Sequence, residues 1–119
     1  MIELGSRERK QPAPPGIVWE CLTNPHRPGG RPWLDLHDDE HDPRILASTP
    51  TTGVTWSSLW PARPDDVIVF TLRPSSDGGC ALRWTLLTPG PPPPPETLGH
   101  LRHRLNYLIN ASLRFSFGQ

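Results

Sequence analysis

The sequence predicts an α+β domain: an antiparallel sheet wrapped on a long C-terminal helix, with two short helices after the first strand. Three observations predict it. Between 96 and 114, Leu98, Leu101, Leu105, Leu108, Ile109 and Ser112 or Leu113 fall at three- and four-residue spacing, the pattern of an amphipathic helix. Between 44 and 88, apolar runs alternate at period two and are joined by turn-forming segments, the pattern of a meander. Five consecutive prolines, Pro91–Pro95, separate the last run from the helix as a stiff extended spacer.

Taken in order, residues 1–10 start with Ile2 and Leu4 at period two and read as an edge strand. Gln11 to Gly16 holds three prolines and is a turn. Pro14 and Pro15 precede Ile17, Val18, Trp19, Cys21 and Leu22, a short apolar helix that Asn24-Pro25 ends. Pro32-Trp33-Leu34 starts the second short helix, and the charged run 35–44, DLHDDEHDPR, reads as a solvated loop. Arg44–Ser48 leads through a turn into a strand from Val54 to Trp60, followed by strands at 65–73 and 80–88. Alternation puts Val54, Trp56, Ser58 and Trp60, then Ile68, Phe70 and Leu72, then Leu82, Trp84 and Leu86 on the face toward the helix. Val67 and Val69 fall on the other face.

Composition narrows the function. At 119 residues the chain fits one domain, 1–119. Only 34% of residues are hydrophobic, while five are tryptophan, so the apolar mass sits in a few large side chains. Twelve basic and twelve acidic residues cancel, so no net field draws a phosphate backbone, and nucleic acid is not an expected partner. No run reaches the ~18 apolar residues of a membrane span. Cys21 and Cys80 lie far apart with no zinc spacing around them. They read as free buried thiols, and the expected location is the cytoplasm.

The order of strand, two short helices, meander and long C-terminal helix resembles the START-like, or Bet v 1-like, superfamily (SRPBCC), in its polyketide cyclase/dehydrase and lipid-transport group. Two stretches carry the resemblance. Residues 15–25, PGIVWECLTNP, look like the family's P-x-x-V-W-x-x-L-T-D-P opening of the first helix, and residues 77–86, DGGCALRWTL, look like its glycine turn and alternating strand. The resemblance covers nearly the whole chain and implies the helix-grip fold. It also implies an apolar cavity between the C-terminal helix and the sheet. It brings no catalytic residue. The chain is shorter than the family's usual ~140 residues, which implies a smaller cavity or one open at an end.

The expected function is binding of a small hydrophobic or aromatic molecule in that cavity. The residues expected to line it are Trp56, Trp60, Phe70 and Trp84 from the sheet and His100, Arg104, Leu105, Tyr107 and Leu108 from the helix. Two readings of the tryptophans stand side by side: they stack on a ligand, or they fill a core that has too few aliphatic residues. Trp19 and Trp33, on the short helices at the cavity mouth, are expected to pack. One alternative is a polyketide cyclase- or dehydratase-like enzyme. In that case His100 and Arg104, or His103 and Tyr107, each four residues apart, supply the acid–base group. The other alternative is an interaction or homodimerisation module without a ligand. His37 and His41 flank carboxylates but lack the HExxH order, so neither a metal nor a cofactor is expected.

Overall fold

The computed structural model describes residues 1–118. Strand β1 spans Ile2–Gln11, helix α1 Pro15–Thr23, and strands β2 to β5 span Ile45–Thr49, Gly53–Ser57, Val67–Pro74 and Cys80–Thr88. Helix α2 spans Pro95–Tyr107 and continues without a break into a π-helical stretch, Leu108–Leu113. The strands form one antiparallel sheet in the order β1-β5-β4-β3-β2. The meander therefore runs β2 to β5, and β1 closes on β5 as the opposite edge.

Cross-strand rows explain how this sheet holds its helix. Val54, Phe70 and Trp84 stand opposite one another, as do Trp56, Ile68 and Leu86 in the next row. All are buried, because period two sends both rows to the face that α2 covers. Trp56 meets Phe70 edge-on with ring centroids 4.7 Å apart. From the helix, Leu101, Leu105, Leu108, Ile109 and Leu113 complete the layer, with Leu98 half-buried at its rim. Val67 and Val69 lie half-buried on the other face.

Local chemistry sets the element ends. Pro15 occupies the first turn of α1, where its missing N–H costs nothing and its fixed φ suits a helix. The Asn24 amide closes that helix on the Glu20 carbonyl at 2.9 Å, and Pro25 cannot extend it. Two indoles pin α1 to β3: Trp19 Nε1 donates to the Gly53 carbonyl at 3.2 Å and Trp56 Nε1 to the Leu22 carbonyl at 2.8 Å. The pairing of β1 with β5 shifts between Glu3 and Gly5. At that irregularity Arg102 donates from Nε and Nη2 to the Leu4 carbonyl, at 2.8 and 2.6 Å. A Cβ at position 5 would stand 2.7 Å from Arg102 Nε, so this approach needs glycine.

The structure corrects four expectations. Residues 31–37 form no helix. The Trp33 carbonyl accepts from the Asp35 amide at 2.9 Å and from Ser112 Oγ, and Arg104 Nη2 donates to the Asp35 carbonyl. Together with the turn that follows, as far as Glu40, the segment becomes a strap across the helix. Glu40, within the run expected to be solvated, is buried. Strand β3 ends at Ser57, and the Ser58 hydroxyl then bonds the Trp60 backbone, a local turn that breaks alternation and buries Leu59 beside Ser58 and Trp60. The C-terminal helix widens into a π-helix, and within it the Ile109 carbonyl accepts from Gln11 Nε2 at 3.1 Å.

Candidate ligand site

The expected lining residues fall into three environments. Trp56, Phe70, Leu105 and Leu108 have 0% of their surface exposed, and Trp84 has 1%. A void large enough for water would leave exposed area on its walls, so the layer between helix and sheet is filled by its own side chains. Trp84 Nε1 is satisfied inside it by Asn106 Oδ1 at 3.0 Å, although Asn106 lies off the leucine stripe. Trp60 and Arg104 meet at a buried carboxylate, described next. His100 is exposed, and Tyr107 is exposed on the outer side of the helix, its ring centroid 5.4 Å from the Arg104 guanidinium carbon.

That carboxylate belongs to Glu40. Arg104 holds it with a two-pronged fork, Nε to Oε2 at 2.8 Å and Nη2 to Oε1 at 2.7 Å. Trp60 Nε1 and the His37 amide add donors at 3.2 and 2.8 Å. Burial alone pushes the Glu40 carboxyl upward. The hydrogen bonds from Arg104, His37 and Trp60, with the Arg104 charge, outweigh burial and hold it below the usual carboxylate range. The Glu40 hydrogen bonds in turn raise Arg104 above its ordinary value. The pair fastens the far end of the strap to the helix. His37, Asp39 and Glu40 bring donor atoms within 4.8 Å of one another, but both Glu40 oxygens are already engaged by Arg104.

The near end of the strap is different. Trp33 is only 3% exposed and stacks on Trp56 with centroids 6.1 Å apart, yet its Nε1 has no hydrogen-bond partner. Two hollows meet at Trp33, and a third adjoins both. One of about 70 Å³ lies between the end of α1, the strap and the C-terminal turn; Cys21, Asn24, Arg27, Arg31 and Trp33 line it. A second of about 360 Å³ is bounded by Pro32, Trp33, Leu34, Asp35 and Ser112. A third of about 330 Å³ is lined by Arg31, Pro32, Tyr107, Ala111, Ser112, Phe115 and Ser116. The third shares Arg31 and Ser116 with the first, and Pro32 and Ser112 with the second. Ala111 and Ser112 stand on the π-helical stretch, and such stretches recur at functional sites.

Of the expected site residues, only Tyr107 lines these hollows. Sequence reasoning missed Arg31, Ser112 and Phe115, and it placed Trp33 at the mouth only as packing. The signals were faint: a serine in a leucine stripe, and phenylalanines beyond the last leucine.

No family model matches the sequence, and no curated protein matches it. Solved structures do. The Aha1 dimer from Colwellia psychrerythraea is 14% identical and superposes with a TM-score of 0.69, over 98% of this chain and 96% of that one. The protein MLL2253 from Mesorhizobium loti is 21% identical with a TM-score of 0.68, over 96% of each chain. CalU16 from Micromonospora echinospora is 20% identical with a TM-score of 0.57, over 95% of this chain and 80% of that one. At such identities the likeness shows the fold alone: an open five-stranded antiparallel sheet with a C-terminal helix, compatible with the helix grip.

Proposed function

We propose that the protein binds a small apolar or aromatic molecule at the open end of the helix grip, in the hollows on either side of the strap, and not within the filled layer. One observation carries the reading: the inner layer has no free space, while one hollow of ligand size lies against Trp33 and a second, sharing Pro32 and Ser112 with it, is flanked by the exposed rings of Tyr107 and Phe115. The helix-grip likeness of the solved relatives supports the scaffold.

In this reading Tyr107 is a direct contact. Trp56 backs Trp33, while Phe70, Trp84, Leu105 and Leu108 form the rigid floor. Trp60 and Arg104 act through Glu40, which holds the strap in place. His100 has no part, and no reaction is proposed, because Arg104 is committed to Glu40. The neutral fluorophore N-phenyl-1-naphthylamine tests the reading. Saturable emission gain is expected, weakened at least about tenfold by Phe115→Glu, since one buried aromatic contact contributes on that order. No gain, or a gain indifferent to Phe115, overturns it.

A second reading concerns self-association. β2 is the outermost strand, exposed along its length, with Ile45 and Leu46 exposed on it. A second copy that adds its own β2 would continue the sheet. The Colwellia relative is described as a dimer. Light scattering is expected to give a dimer mass that Leu46→Lys reduces to a monomer. A monomer at all concentrations in the unaltered protein contradicts it.

A further inference from the structure

We infer that the end of this ligand lying against Trp33 is an acidic group, a carboxylate on an apolar or aromatic body. The inference rests on the proposed site and adds the chemical class of what fills it.

The polar side chains in the walls of the 70 Å³ hollow are mostly donors: Asn24, Arg27, Arg31, Trp33 and Ser116. Trp33 is only 3% exposed, and its buried Nε1 has no hydrogen-bond partner. A buried N–H without an acceptor is a standing cost to the fold, which an oxygen reaching it would relieve. Two guanidinium groups line the same space. Arg27 is held by Glu20 at 3.0 Å, whereas Arg31 has no carboxylate within ion-pairing distance among the described residues. No aspartate or glutamate lines the hollow. Its one thiol adds no negative charge: burial pushes Cys21 above its ordinary value, against the weaker opposing pull of Arg27.

Size separates the two ends of the ligand. A space of about 70 Å³ admits a carboxylate or a few waters but no ring system. The adjoining hollow of about 330 Å³ is reached past Arg31 and Ser116 and offers Tyr107, Pro32 and Phe115 to an apolar body. Arg31 stands on the border of both, placed to meet a carboxylate whose ring lies outside.

The test compares 2-naphthoate with its neutral amide, 2-naphthamide, by calorimetric titration of the full chain. The indole N–H resonance of Trp33, assigned by its loss in Trp33→Phe, is followed in parallel. The acid is expected to bind at least about tenfold more tightly than the amide, to shift the Trp33 indole resonance, and to lose that advantage over the amide in Arg31→Ala. Arg31 is exposed, so this variant leaves the core intact. Equal affinity for acid and amide, with the Trp33 resonance unmoved, overturns the carboxylate and leaves the apolar site standing. Failure of both compounds to bind, together with no binding of N-phenyl-1-naphthylamine, overturns both readings.

Discussion

Arg104 on the C-terminal helix and Glu40 in the strap, 64 residues apart in sequence, share two parallel hydrogen bonds of 2.7 and 2.8 Å at a buried site. The strap has no regular structure of its own, so it is held over the helix by this pair, by the stacking of Trp33 on Trp56, and by the bonds of Ser112 and Arg104 to the Trp33 and Asp35 carbonyls.

Glu40→Gln is expected to lower unfolding free energy by about 3–5 kcal/mol, because it leaves the Arg104 charge buried without its counter-charge. The strap should also become the first point of proteolysis, with cleavage between 31 and 44 appearing earlier than in the unaltered protein. Replacing both Glu40 and Arg104 by methionine should cost less than Glu40→Gln alone. Urea unfolding of the two variants measures this.

Acid should act on the same pair. The Glu40 carboxyl sits below its ordinary value in the fold. Its contribution is therefore fully present above the unfolded-state value of about 4.3 and is lost as pH falls through the lower folded value. Stability measured from pH 6 downward should drop more steeply in the unaltered protein than in Glu40→Gln. Parallel curves would show that the pair does not couple to protons.

Gly79→Ala should destabilise the closure of β1 on β5. A Cβ there would lie 2.3 Å from the Gln11 carbonyl oxygen, a backbone atom that cannot swing aside as a side chain does. A loss of about 1–3 kcal/mol is expected from such overpacking. Hydrogen exchange should quicken along Lys10 and Gln11, which pair with Ala81 and Cys80.

Trp33→Ala should lower stability by about 3–5 kcal/mol through the void it leaves against Trp56. It should also open the filled layer to small apolar probes. A stability change below about 1 kcal/mol would mean that the strap does not depend on this ring.

Much of the scaffold was legible because it rests on local periodicity. Val54, Trp56, Ile68, Phe70, Leu82 and Trp84 declare their face by alternation, and the leucines from Leu101 to Leu113 by helical spacing. What was not legible depends on partners remote in sequence. Glu40 looks like any acid in a charged run until Arg104 reaches it. Residues 32–34 look like the start of a helix until Ser112 and Arg104 bond the Trp33 and Asp35 carbonyls. Leu59 violates alternation because the Ser58 hydroxyl turns the chain. The candidate site was hidden for the same reason: it lies where the strap, α1 and the π-helical stretch meet, and no single segment carries its pattern.

The most direct measurement is a residue-resolved NMR titration with N-phenyl-1-naphthylamine. The account predicts saturable shifts confined to residues 31–35 and 107–116, with the amides of Phe70 and Trp84 at the centre of the sheet unmoved. Shifts centred on Phe70 and Trp84, or none at all, would contradict it.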